Sequence, residues 1–169
     1  MNSPAIFDNQ QITILNTLYQ AYIDGAIALT ANVPQVAKVE ILNADVATLN
    51  SVPVEIVPAK GANKAIQVLS CVVNFVNNSG DDYNTNMQLQ LIDGLTGDAI
   101  ALSRTNFLGG VAATYSQYLT IQQGASQTSD QIIGNSSIKL SVVGADPNPN
   151  GSPDVTLKVY VIYQVVDFN

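Results

Sequence analysis

No histidine and no tryptophan occur among the 169 residues, and there is a single cysteine, Cys71. The missing histidine removes the commonest general base, the commonest zinc ligand and every Ser-His-Asp or Cys-His arrangement. One cysteine makes no disulfide within the chain, so the fold does not depend on an oxidising compartment. Basic residues are as scarce. Lys38, Lys60, Lys64, Arg104, Lys139 and Lys158 are the whole set, scattered along a chain of net charge −7. Neutralising phosphates takes clustered Lys and Arg, so neither nucleic acid nor an anionic membrane is expected as a partner. No apolar run approaches the ~20 residues of a spanning helix, and no basic start leads into an apolar core as in a secretory signal.

What is present is apolar and amide-rich. Apolar residues make up 47% and charged ones only 11%, less than half the ~25% of ordinary soluble domains. The polar surface must therefore come from Asn, Gln, Ser and Thr, which suits a protein held in a fixed assembly. The length allows one domain with a real core and a short appendage.

The pattern changes near Val33-Pro34, dividing the chain into an N-terminal segment, 1–33, and a body, 34–169. In the first segment Asp8 is a candidate helix cap and Gly25 a candidate stop. Between them Ile12, Leu15, Tyr19 and Tyr22 recur at spacings of three and four. This reads either as a short helical seam between copies or as a lone amphipathic helix or arm.

From residue 36 onward the apolar rhythm has period two, and no helical segment is expected. Val36 to Leu42 predicts a first strand. Val52 to Val57 predicts a second, which Pro53 and Pro58 confine to an edge or a strand end. Lys64 to Val76 is apolar in both phases, with Leu69, Cys71, Val73 and Phe75 in one and Ile66, Val68, Val72 and Val76 in the other. Such a strand is central, or its outer face is covered by another subunit. Tyr83 to Leu91, Ala99 to Ser103, Tyr115 to Gln122, Ile138 to Val142 and Val155 to Val165 follow, separated by Asn, Asp and Gly turns. About eight strands with turns between them predict an all-β antiparallel β-sandwich, jelly-roll-like.

Few side chains are available for chemistry. Cys71 lies mid-strand with no basic neighbour and reads as a small core residue. Ser137 and Lys139 stand two apart on an outward face, where a Ser-Lys dyad would be solvated. Glycoside hydrolysis needs two carboxylates in a cleft. Glu40 and Glu55 are the only glutamates, and the aspartates fall mostly in turns. No catalytic residue and no cofactor are expected.

One loop resembles a metal site. Asp146, Asn148, Asn150, Ser152 and Asp154 place oxygens at alternate positions around Gly151, like the first half of a calcium loop. The twelfth position is Leu157, where a bidentate Glu belongs, and Pro147, Pro149 and Pro153 stiffen the run. A rigid hairpin loop explains the same residues.

The stretch from Val39 to Ile66 contains Leu49-Asn50-Ser51-Val52-Pro53-Val54 and then Val57-Pro58-Ala59-Lys60-Gly61 ahead of a long apolar strand, with an Asn/Tyr-rich stretch from Asn77 to Asn86. This texture, over roughly residues 36–125, resembles virion surface proteins of tailed bacteriophages. The resemblance implies a jelly-roll-like sandwich, a homotrimer, and a role in decorating or cementing a capsid or in a head fibre. It implies the major capsid protein or a neighbouring virion protein as partner, and location on the virion after synthesis in the host cytoplasm. It carries no catalytic residues. Residues 1–33 would then anchor the body to the capsid, and Ile66, Val68, Val72, Tyr115, Tyr118, Tyr160 and Tyr163 are candidate interface residues, each with ordinary core as the competing reading. The alternative function is a carbohydrate- or receptor-binding module of a fibre or tail.

Overall fold

A computed structural model describes residues 33–83, 87–109, 114–121 and 134–168. The chain divides into two units, Met1–Val33 and Pro34–Asn169, and the sandwich belongs to the second.

Eleven strands and one helical turn are described. They are β1 (Gln35–Ile41), α1 (Asn43–Val46), β2 (Val54–Val57), β3 (Lys64–Asn77), β4 (Asp82–Tyr83), β5 (Leu89–Asp93), β6 (Ala99–Leu102), β7 (Tyr115–Tyr118), β8 (Thr120–Ile121), β9 (Ile138–Val142), β10 (Pro149–Asn150) and β11 (Val155–Asp167). A four-stranded sheet runs β1-β11-β3-β7 and a five-stranded one β2-β9-β5-β6-β8, with β10-β4 as a small ribbon. Every pairing is antiparallel. From β1 to β3 successive strands alternate between the two sheets, β5 follows in the five-stranded one, and the last strand returns beside the first. This is the interleaving of a jelly roll.

β11 shows why the sandwich forms. Val155, Leu157, Val159, Val161, Tyr163 and Val165 alternate with polar or half-exposed neighbours, and all six are buried. They meet Phe75, Val73 and Cys71 across β3, and Leu89, Leu91, Leu140 and Val142 of the five-stranded sheet belong to the same core. Pro53 acts as its chemistry predicts. β2 starts one residue later and lies at the edge of its sheet.

β3 corrects the expectation of two apolar faces. Ser70 pairs with Ile162 and Val68 with Tyr163, leaving Leu69 unpaired in a β-bulge. The extra residue flips the phase of the strand. Before it Ile66 and Val68 point inward, after it Cys71, Val73 and Phe75 do, and Leu69 turns out at 41% exposure. Ile66 and Val68 are therefore core residues opposite Val165 and Tyr163, not members of an outer interface.

Three further expectations give way. α1 is a helical turn where none was expected: Val46 and Leu49 bury against the sandwich, but two apolar residues three apart are too short a run to show a period. Tyr83 to Leu91 is not one strand, because β4 pairs with β10 and β5 pairs with β9 and β6. The segment from Tyr115 splits at Leu119. β7 bonds to β3 in one sheet and β8 to β6 in the other, and the Leu119 N–H between them donates to the Cys71 carbonyl at 2.9 Å.

Candidate binding face

The outer face of the four-stranded sheet is built from the phase that the core leaves free. Register aligns Lys38 of β1 with Tyr160 of β11, Tyr160 with Val72 of β3, and Val72 with Tyr118 of β7. Three of the sequence-derived interface candidates, Val72, Tyr118 and Tyr160, therefore stand in one cross-strand row. Tyr118 is 72% exposed. The Lys38 ammonium lies 5.5 Å from the Tyr160 ring centroid, within reach of the ring's negative face. The next row holds Val36, Ile162 and Ser70, and on the other side Glu40, Lys158, Asn74 and Ser116 form a polar row. Val36 is 66% and Ile162 39% exposed.

Val36, Ile162 and Leu69 belong to this face and were not singled out from sequence. The signal was available for Ile162. It sits in the polar phase of β11, among Thr156, Lys158, Gln164 and Tyr160, where an apolar side chain has no core to join.

The other described tyrosines are internal. Tyr163 is buried and its hydroxyl donates to Gln35 Oε1 at 2.8 Å. Tyr115 stacks on Phe75 with centroids 5.0 Å apart and meets Phe107 edge-on, while its hydroxyl donates to the Phe107 carbonyl. Burial raises its pKa, against the opposing effect of the Arg104 guanidinium. Tyr83 is wholly buried, its hydroxyl held by the Asn43 side chain at 2.7 Å, and burial pushes it up to about 12. Ile12, Leu15, Tyr19 and Tyr22 lie outside the described residues.

The candidate chemical groups are dispersed. Cys71 is buried and burial pushes its thiol up to about 12, far from the thiolate that reactivity requires. Lys139 in β9 stands opposite Glu55 of β2 and Ile92 of β5, while the Ser137 carbonyl accepts the Gly94 N–H at 2.7 Å.

The candidate calcium loop is knitted into the fold through the side chains of Asp146 and Asn150 and the backbone N–H groups of Ser152 and Asp154. Asp146 Oδ1 accepts the N–H groups of Asn50 and Ser51, both at 2.8 Å. These bonds hold its carboxyl below the usual carboxylate value. Asn150 Nδ2 donates to Asp82 Oδ1 at 3.2 Å, and the Ser152 N–H donates to Asp81 Oδ2 at 2.8 Å. The Asp154 N–H donates to Ser79 Oγ at 2.9 Å. Gly151 has φ +82°, a backbone conformation that favours glycine, and a Cβ there would lie 2.5 Å from Asp81 Oδ2 and displace the carboxylate that accepts the Ser152 N–H. Among the described residues no group of three or more His, Cys, Asp or Glu side chains is placed to hold a metal ion, and no helix is long and apolar enough to cross a membrane.

The chain matches no protein-family model and no curated protein.

Proposed function

We propose that this chain is a structural virion protein that decorates or stabilises a phage capsid, laying the outer face of its four-stranded sheet on capsid proteins. It acts by burying surface, not by chemistry. The observation that carries this reading is the row Tyr160, Val72 and Tyr118, flanked by Val36 and Ile162, on a face that the core does not need. Rings at such a surface supply large contact area at low entropic cost, and aromatic residues lead among binding hot spots. The low charge of the chain supports a fixed assembly, and the resemblance of residues 36–125 to phage virion proteins supports the setting. Assembly as a homotrimer, with residues 1–33 as the capsid anchor, belongs to the same proposal.

Co-sedimentation with shells assembled from the major capsid protein of the same virus tests it. Wild-type protein is expected to pellet with the shells and Tyr118→Asp to stay in the supernatant. A protein that ignores the shells, or a variant that pellets as well as wild type, overturns the assignment of this face. Specific signals on a glycan array, with no shell binding, would replace the proposal with a receptor-binding module.

A further inference from the structure

β1 is an outermost strand of the four-stranded sheet. It bonds to β11 on one side, and among the described residues no strand pairs with its other side. Such an edge presents a row of N–H and C=O groups ready for another strand, and proteins commonly blunt it with charge, which sets like against like when two edges meet. The charges of β1 are of both signs. The strand carries Lys38 and Glu40 two positions apart on the outer face, with Val36 before them and Leu42 after them. Leu42 is 57% exposed and its backbone is still extended, at φ −83° and ψ 163°, so the outward alternation runs through it.

We propose that β1 pairs antiparallel with β1 of a second copy across a two-fold axis centred on Val39, merging the two four-stranded sheets into one. Residues directly opposite each other in an antiparallel pair point to the same face, so the axis must fall on a residue. Centring on Lys38 or Glu40 sets like charges against each other. Centring on Ala37 sets Lys38 against Val36, and centring on Ile41 sets Glu40 against Leu42. The Val39 register alone matches every outward side chain. Lys38 meets the partner's Glu40, Val36 meets the partner's Leu42, and each match occurs twice by symmetry. The two most exposed apolar side chains of the β1 segment are thereby covered. Lys38 lies over Tyr160 of β11 on the outer face, and pairing with the partner's Glu40 turns its ammonium from that ring toward the free edge. The contact is isologous and joins copies in pairs, whatever other surfaces bring copies together, and it does not depend on what the outer face binds.

Register-specific crosslinking of the full chain tests this. With Cys71→Ala removing the native thiol, Val39→Cys places two thiols on the axis at a Cα separation of about 4.5–5.5 Å, inside disulfide range. In Ala37→Cys the equivalent positions are four residues out of register, roughly 13 Å apart, and beyond it. Mild oxidation is expected to crosslink Val39→Cys and not Ala37→Cys. Sedimentation of the unlinked protein gives an independent reading, on variants changed only at the surface. Mass should double with rising concentration. Lys38→Glu should weaken that step about tenfold, by turning two attractions into repulsions, and Lys38→Glu with Glu40→Lys should restore it. Equal crosslinking of the two cysteine variants, no concentration-dependent doubling, or a double charge swap that fails to rescue overturns the proposal.

Discussion

Both sheets alternate inward and outward side chains, and their inward sets are alike in being apolar, chiefly Val, Leu and Ile. Their outward sets differ. On the five-stranded sheet the outward phase includes Glu55, Lys139, Gln90 and Thr120, and among the described residues none of its strands carries a large apolar side chain that is exposed. On the four-stranded sheet the same phase holds Val36, Ile162 and Tyr118 in the open, with Leu69 thrown out beside them by the bulge. Core packing accounts for the first pattern and leaves the second unexplained. Apolar side chains gathered on an outer face are the pattern on which the proposed contact surface rests.

The sharpest way to break this comparison acts on the bulge. Deleting Leu69 takes out the unpaired residue and leaves Ile66 and Val68 in one regular alternation with Cys71, Val73 and Phe75, all facing the core. We expect this variant to keep a cooperative unfolding transition in urea. Deleting Lys158 from the unbroken alternation of β11, by contrast, turns either Val155 and Leu157 or the run from Val159 to Val165 outward and should abolish it. The reverse pair of outcomes would mean that the bulge does not set the faces. Next in size is a contrast within β3. Phe75→Ala, on the inner face, should lose ~3–5 kcal/mol in urea denaturation, whereas Val72→Ala, three residues away on the outer face, should lose less than ~1 kcal/mol. Similar losses would erase the distinction between the faces.

Smaller effects sharpen it. Tyr118→Asp should leave the unfolding midpoint close to wild type while lowering shell binding at least ~10-fold, or ~1.4 kcal/mol. Lys139→Ser on the five-stranded sheet should leave shell binding unchanged. The smallest effect concerns the loop tie at Asp146. Hydrogen bonds hold its folded pKa below the ordinary value, so the stabilisation is complete above the unfolded carboxylate value of ~3.9 and is lost as pH falls through the folded one. An Asp146→Asn variant should melt below wild type at neutral pH, and the gap should close in acid. A gap that persists at the acid end would show that the carboxylate charge is not its source.

Much of this architecture is legible in the sequence where one physical rule acts alone. β11 reads as a strand because its inward phase is unbroken from Val155 to Val165. β2 reads as an edge because Pro53 has no N–H to give. Legibility fails where two solutions share a composition. Leu69 lies in a run of Val, Leu and Ile in which either phase could be inner, and nothing local marks the unpaired residue. The Leu119 crossing is invisible for a similar reason, since a strand that changes sheets keeps its alternation. Asp146 has the spacing of a ligand and the partners of a clamp, and the partners, Asn50 and Ser51, are nearly a hundred positions away. Of the candidate face, Val72, Tyr118 and Tyr160 are recognisable one by one. That they form a row is a matter of register, which only the fold supplies.

The return of the last strand beside the first has a mechanical consequence. β1 enters the sandwich at Gln35, directly opposite Tyr163 and near the exit of β11. A pull applied between these two ends would load the β1–β11 bonds one after another, as a zipper opens, and not all together as in shear. The rest of the sandwich would stay shut while β1 peeled away, so the sandwich would yield to tension at its edge first and keep its core for last.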